Sequence, residues 1–137
     1  MLAPNLIEID DARLHLRADD TDSDEWFHLW IPVVSQAILY WLGDTWRLYE
    51  LQRDSKDEIV TDENGVPIPM RHPDGRPIIH LLVRGAALIE LAEIYTKREG
   101  EGRSYVTQAG NSGGAWGYTL SAGATALLQG LRKSTVA

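Results

Sequence analysis

The longest amphipathic pattern in the chain runs from residue 24 to residue 42. Its apolar positions recur at steps of three and four residues, which predicts a helix with one buried face. These positions are Trp26, Phe27, Trp30, Ile31, Val34, Ala37, Ile38, Trp41 and Leu42. The opposite side carries Glu25, His28, Pro32, Ser35, Gln36 and Gly43. Because Pro32 lacks a backbone amide, we expect the helix to bend there without losing a core residue.

A shorter helix is predicted before it, over roughly residues 10 to 18. Asp10 or Asp11 can act as its N-cap, because a short carboxylate accepts hydrogen bonds from the free amides at a helix start. An aspartate-rich loop follows, and Asp22 or Ser23 is placed to begin the long helix. The acids near that start also suit the positive end of the helix dipole.

A third helix is predicted from Pro77 to Gly100, since proline favours the first helical position and glycine favours the end. It is apolar on most sides, which is typical of a central helix buried by its own domain and by a neighbour. The run Gly85-Ala86-Ala87 would let another helix approach closely.

A last short helix follows a glycine-rich linker over residues 100–118, with Thr119 or Ser121 as its cap. Burying three of its leucines contributes roughly 5 to 9 kcal/mol, whereas ordering about eleven residues costs roughly 1 to 2 kcal/mol each. We therefore expect this helix to need a surface on which to dock. Its apolar positions are Leu120, Ala124, Leu127, Leu128 and Leu131.

Between the second and third helices the pattern is less regular. After Gly43 two interpretations stay open: the helix resumes through Leu51, or the chain turns. Residues 53–76 are rich in charge, glycine and proline, and apolar residues around Asn64-Gly65 could pair as a small hairpin. A functional loop and a merely mobile loop are about equally compatible with this composition.

The predicted fold is therefore all-α, a small bundle of about four helices with a long loop or small β-hairpin between helices 2 and 3. We assign residues 1–118 to a helical core domain, which includes the loop over 53–76 and the linker over 100–118. Residues 119–137 are assigned to a C-terminal helical arm. We expect removal of residues 120–137 to leave the helical core folded.

Composition limits the classes of protein that fit. A chain of 137 residues with 44% hydrophobic content can bury one core. It has no cysteine, so disulfides and cysteine-ligated metals are excluded, which is compatible with a reducing cytoplasm. The most apolar segment, residues 78–92, is interrupted by His80, Arg84 and Glu90, so we expect neither a signal peptide nor a membrane partner.

Charge is distributed unevenly along the chain. Residues 1–63 hold 15 acids and 5 bases, and residues 64–137 hold 5 acids and 8 bases, which together give the net charge of -7. The acidic half argues against a tight sequence-independent grip on nucleic acid, which requires a concentrated basic surface. The asymmetry would instead help identical subunits meet through unlike surfaces.

Candidate chemistry is sparse. The four histidines are not at a metal-ligand spacing, and the aspartate-rich loop lacks the central glycine and closing glutamate of a calcium loop. The segment 110–114 lacks the lysine of a phosphate loop, and no serine has a nucleophile-elbow context. We expect no catalytic residues, metal site or cofactor, hence no enzyme.

The five tryptophans divide into two groups. Trp26, Trp30 and Trp41 lie on the apolar face of the long helix and are predicted core residues. Trp46 and Trp116 fall outside that face and are better candidates for an interface, because large aromatics anchor contacts with little loss of entropy.

Several short sequence segments occur in the same order as in the head-tail connector (adaptor) proteins of tailed bacteriophages, which this chain therefore resembles. The ordered set is Leu6–Arg17, the aspartate-rich turn, Tyr40–Gly43, Asp62–Gly65, Ala86–Glu99 and Ala124–Arg132. The chain departs from the family pattern at Pro32 and in its long glycine-rich linker, which suggests a C-terminal arm with more reach than usual.

This resemblance implies an all-helical core and a ring of about twelve copies beneath the portal, joined through two unlike patches per subunit. The ring would extend the DNA channel without sequence-specific binding and would dock a stopper or tail-completion protein. Assembly would occur in the host cytoplasm and place the protein in the neck of the virion. The expected portal surface comprises Leu120, Leu127, Leu128, Leu131, Arg132 and Trp116. The expected contact between subunits comprises Trp46, Arg84, Gly85 and Arg98.

The alternative hypothesis is a DNA-binding ring protein such as a small terminase subunit. It requires a basic recognition helix, and the bases of the C-terminal half are dispersed.

Overall fold

A computed structural model describes residues 2–18, 21–97 and 120–133. Within these ranges the chain has four α-helices, which confirms the predicted all-α class: α1 Ile9–Leu16, α2 Asp24–Leu42, α3 Leu81–Thr96 and α4 Ala122–Leu128. Two 3-10 helices, Thr45–Leu48 and Gln129–Leu131, follow α2 and α4. The predictions for Trp116 and Arg98 fall outside the described residues, as does the linker over 100–118.

The core lies where α1, α2 and α4 pack around α3. Tyr95, near the end of α3, stacks on Phe27 near the start of α2, with ring centroids 5.6 Å apart. The two long helices are therefore antiparallel. Trp26, Trp30 and Trp41 are half-buried against this core, as predicted for the apolar face of α2.

The N-terminal segment covers a second side of α2 that the helical pattern marked as polar. Ser35 is fully buried, and its Oγ accepts a hydrogen bond from the Leu6 amide at 3.0 Å. The Gln36 side chain accepts another from the Ala3 amide at 2.9 Å. Placing Ser35 on the solvent side is thus wrong, because a distant segment satisfies its hydroxyl. Pro32 is exposed, and α2 continues through it.

The predicted caps of α1, Asp10 or Asp11, are wrong, and of the two candidates for α2 the structure has Ser23 and not Asp22. The N-cap of α1 is Glu8, and Asp10 lies inside the first turn, where it pairs with Arg13 at 2.7 Å. The N-cap of α2 is Ser23, the alternative to Asp22. Arg13 also binds Asp24, and this hydrogen bond lowers the pKa of the Asp24 carboxyl. The pair ties α1 to the start of α2, which gives the aspartates there a structural role.

Helix α3 begins four residues after the predicted start. Its N-cap is His80, whose Nδ1 accepts a hydrogen bond from the Leu82 amide at 3.1 Å. Pro77 is instead held extended, because the neighbouring Ile78 amide donates to Met70 and the His80 amide donates to Leu48. The described end of α3 is Thr96, with Lys97 as C-cap, before the predicted stop at Gly100.

Residues 49–80 form an insertion between α2 and α3, which we name the three-leaf unit. Its segments meet at isolated antiparallel bridges, not in an extended sheet. Three bridges close hairpin leaves: Arg53 with Ile59, Thr61 with Pro67, and Arg71 with Pro77. Two more form a stem that leads back to the helices: Leu51 with Pro69 and Tyr49 with Ile79. The hairpin predicted around Asn64-Gly65 is the middle leaf.

Two closed triangles of backbone hydrogen bonds join the leaves. In each triangle every amide donates to the next carbonyl, over 2.7 to 3.0 Å. The first consists of Gln52, Val60 and Ile68, and the second of Glu50, Met70 and Ile78. Each triangle therefore pairs three backbone amides with three backbone carbonyls. In an ordinary sheet these groups would be paired by neighbouring strands. The unit therefore has internal order although most of its side chains are exposed.

The C-terminal helix docks on its own subunit. Gly85 of α3 lies under Leu127 of α4, and a Cβ built on Gly123 would meet Ile89 at 3.2 Å. The prediction that Gly85-Ala86-Ala87 admits another helix is confirmed, and that helix is α4. Leu120 and Leu128 are buried in this contact. In this conformation neither leucine can contact the portal, and residues 120–133 belong to the core instead of a separate arm.

Candidate docking surfaces

The segment after α4 is fastened by three hydrogen bonds, two to the end of α2 and one to the 3-10 helix that follows it. The Lys133 amide donates to the Leu42 carbonyl at 3.0 Å, and Arg132 Nε donates to the Trp41 carbonyl at 3.1 Å. Arg47 Nη1 donates to the Leu131 carbonyl at 3.0 Å. These bonds satisfy carbonyls at the ends of two helices, which would otherwise lack partners.

A groove of about 300 Å³ opens beside this fastened segment. We name it the Trp46 groove, after the side chain on the 3-10 helix that follows α2. Its walls come from that 3-10 helix, the first leaf and the end of α4, and include Trp46, Leu51, Arg53, Ile59, Gly130 and Leu131. The groove brings together Trp46, predicted for the subunit contact, and Leu131, predicted for the portal.

Charges of both signs line the Trp46 groove, from Arg47, Glu50 and Arg53. Arg53 lines it and is half-exposed, while Arg132 and Lys133 follow Leu131 directly and are exposed. The Arg132 guanidinium lies 4.3 Å from the Trp41 ring centroid, a cation–π arrangement that holds it in place. Arg47 is paired with Asp44 at 2.9 Å. The groove therefore combines apolar walls with charges of both signs.

A second cavity, of about 390 Å³, lies between the N-terminal segment and the third leaf. Two ion pairs border it: Arg84 with Asp11 at 2.6 Å, and Arg76 with Glu8 at 3.5 Å. Arg84, predicted for the subunit contact, thus joins α3 to α1 within one subunit. Gly85, also predicted for that contact, lies beneath α4.

The outer face of α2 carries apolar side chains that nothing in the described chain covers. Leu29 is 61% exposed, and Val33 one turn later is also exposed. Glu25 lies one turn before Leu29, and no ion pair of Glu25 occurs within the described residues. We name Glu25, Leu29 and Val33 the outer stripe. Tyr40, further along α2, is 76% exposed.

One charged side chain lies inside the core. Glu90 is 2% exposed, and its Oε2 accepts a hydrogen bond from the Ser121 amide at 2.8 Å. Ser121 is the N-cap of α4, and its own Oγ accepts from the Ala124 amide. Burial raises the pKa of the Glu90 carboxyl, although the bonds from Ser121 oppose that shift. Glu90 thus connects α3 to the start of α4.

The sequence pattern missed several of these residues. Glu90 and Ser35 are buried polar groups whose partners are distant in sequence, and no local signal marks them. Leu29 and Val33 were less visible because Pro32 and His28 marked their side of α2 as polar. Trp46 is half-buried and Arg132 is exposed, and their predicted contacts with another subunit and with the portal stay predictions.

No group of three or more metal-ligating side chains is gathered in the part of the chain that the structure describes. None of the described helices is both long and apolar enough to cross a membrane. Comparison with known proteins gives no match to a family model, to a curated protein or to a solved structure.

Proposed function

We propose that this chain is a structural subunit of the head-tail connector of a tailed bacteriophage. It would form a ring of about twelve copies beneath the portal. The ring would extend the DNA channel and provide the docking surface for a stopper or tail-completion protein. The role is assembly and not catalysis, in the neck of a virion put together in the host cytoplasm.

One observation carries this proposal beyond the resemblance of ordered phrases in the sequence. The described helices pack into one core within the subunit, yet the subunit keeps unlike exposed surfaces, namely the outer stripe and the Trp46 groove. A ring needs two complementary patches on each subunit. Exposed apolar side chains set beside charges are typical of protein contacts.

The portal surface is proposed on the exposed part of α4 and the segment after it. Leu127 is half-buried there and Arg132 is exposed, whereas Leu120 and Leu128 are covered. Portal attachment would thus use the outer side of a docked helix.

Among the described residues, nothing favours the small terminase alternative. Recognition of DNA needs free basic side chains on one helix face. In the described helices Arg13 and Arg84 are bound to aspartates, and α4 has no charged residue.

The test is size measurement of the purified protein with and without portal rings, by light scattering and electron microscopy. We expect a ring-shaped assembly that joins the portal. A chain that remains monomeric at every concentration and never joins portal rings would overturn the proposal. A mobility shift with DNA at moderate salt would favour the alternative.

A further inference from the structure

The first two backbone amides of α3 are bound by titratable side chains. His80 precedes the helix, and its Nδ1 accepts a hydrogen bond from the Leu82 amide at 3.1 Å. The Glu50 carboxylate, on the stem of the three-leaf unit, accepts another from the Leu81 amide at 3.2 Å. Serine, threonine, aspartate and asparagine are the usual caps of a helix start. Here the cap is an imidazole, whose Nδ1 changes from an acceptor to a donor when it gains a proton.

His80 also lies where the three-leaf unit joins the helical core. Its backbone amide donates to the Leu48 carbonyl at 2.8 Å, and its carbonyl accepts from the Arg84 amide at 3.0 Å. The next bond along the stem joins the Glu50 amide to the Ile78 carbonyl at 2.9 Å. One residue therefore holds both the last bond of the stem and the first turn of α3, so a change at its side chain affects both.

The cap requires a neutral imidazole. A backbone amide can only donate, so the bond from the Leu82 amide needs an Nδ1 that carries no hydrogen. Protonation would set one N–H group against another and would place a positive charge at the positive end of the α3 dipole. Histidine is the side chain that ordinarily changes charge between about pH 5 and 8. The cap is therefore present above that range and is lost as the pH falls through it.

The charged groups around His80 are of both signs. Arg47 and Arg53 line the Trp46 groove together with His80 and oppose a further positive charge there, although each is paired with an aspartate. Glu50 lines the same groove and favours a positive charge, whereas burial raises the pKa of the Tyr49 hydroxyl and keeps it neutral. Of the described residues, the end of α4 contributes no charge to this groove. Attraction to Glu50 eases protonation but does not restore the cap, because an imidazolium accepts no hydrogen bond.

We propose that this junction is a pH-sensitive joint, in which protonation of His80 removes the cap of α3 and loosens the attachment of the three-leaf unit to the helical core. The stem opens at its end nearest the helices, whereas the leaves keep their own backbone bonds. The joint is internal to one subunit, so it does not depend on the proposed role in a connector.

Amide hydrogen exchange of the full chain tests the joint. It is followed by NMR at about pH 7.5 and at about pH 5.5, on either side of the range in which histidine titrates, and is corrected for the intrinsic exchange rate at each pH. Loss of a cap corresponds to a roughly 2- to 30-fold change in an opening equilibrium. We expect the Leu82 and His80 amides to lose protection by such a factor at the lower pH. The Gln52 amide, which donates to Ile68 within the leaves, should keep its protection.

Two variants separate His80 from the other histidines. His80→Asn keeps an acceptor at the cap, since asparagine is among the best N-caps and does not titrate in this range. Its protection should be the same at both pH values and close to that of wild type at the higher one. His72→Asn is the matched control, because it removes an exposed histidine of the third leaf and leaves the cap in place. It should keep the full pH response.

Three results would overturn the joint. The first is a wild-type chain whose Leu82 amide is equally protected at both pH values. The second is a His80→Asn variant that responds to pH as strongly as wild type, because another group would then carry the effect. The third is a nitrogen chemical shift of His80 Nδ1 that is typical of a protonated nitrogen at the higher pH, and this measurement needs no variant.

Discussion

At the scale of single residues, Glu90 is the residue in which stability and charge are most directly connected. It is a buried carboxylate on α3 that accepts a hydrogen bond from the first residues of the α4 segment. A buried charge is costly unless it is paired, and burial therefore favours the protonated form. No local pattern indicates this, since a glutamate within an apolar run looks like an ordinary exposed helix position.

Replacing Glu90 with glutamine should stabilise the protein at neutral pH. Because the pKa of Glu90 is raised in the folded state, the folded chain binds its proton more tightly than the unfolded chain. The stability contributed by protonation is complete below the ordinary pKa and is lost as the pH rises through the folded value. Glutamine is neutral throughout and retains an oxygen that can accept from the Ser121 amide.

We therefore expect Glu90→Gln to raise the free energy of unfolding at pH 7. The difference from wild type should shrink as the pH falls below the raised pKa. Thermal unfolding across this pH range measures it. Glu93→Gln, on an exposed position of the same helix, should show no comparable gain. A Glu90→Gln variant that is less stable at pH 7 would contradict this account.

At the scale of elements, the local pattern was sufficient where the bounds of a helix depend only on residues within or next to that helix. The bounds of α2 were predicted correctly because the apolar spacing runs along the helix itself and Gly43 follows its last residue. The start of α3 was not, because residues 77–80 are held extended by carbonyls of Leu48 and Met70, which are distant in sequence. The side of α2 under the N-terminal segment was misassigned for the same reason.

The three-leaf unit shows which structural features a local sequence pattern does not predict. Its middle leaf was predicted because Asn64-Gly65 is a strong local turn signal. The turns of the other leaves have the same geometry, with positive φ at Asp57 (62°) and at Gly75 (93°). Asp57 carries no glycine signal, although aspartate tolerates that conformation. The triangles that connect the leaves have no local signal at all.

Gly65→Ala should destabilise this unit. The φ of Gly65 is 78°, a conformation that costs an alanine roughly 1 to 2 kcal/mol. No atom lies within 4 Å of the added Cβ, so the loss would come from the backbone and not from a clash.

We expect the free energy of unfolding to fall by about 1 kcal/mol, measured by urea denaturation. Gly130→Ala is the matched control, because its added Cβ also meets open space and its φ is not positive. Equal effects of the two substitutions would show that the turn conformation is not responsible.

At the scale of the whole molecule, the docking of α4 changes how the C-terminal segment can be studied. The sequence predicted that this helix needs a surface. It did not show that α3 of the same chain supplies the surface. The leucines that were expected to meet a partner are divided, with Leu120 and Leu128 inside and Leu131 at the groove.

Removing residues 120–137 should therefore unfold or severely destabilise the chain. The deletion takes Leu120, Ala124 and Leu128 from the core, and each buried leucine contributes roughly 1.5 to 3 kcal/mol. It also leaves Glu90 without the Ser121 amide. The total free energy of unfolding of a typical domain is only roughly 5 to 15 kcal/mol, so these losses are a large part of it.

Thermal unfolding followed by circular dichroism should show a transition that is strongly lowered or absent. The comparison is full-length protein carrying Lys133→Ser, which should retain a near-native transition because the amide of residue 133 keeps its bond to the Leu42 carbonyl and only an exposed charge is lost. A truncated chain that melts at the wild-type temperature would mean that α4 is a detachable arm, and the partner surface would then include Leu120 and Leu128 after all.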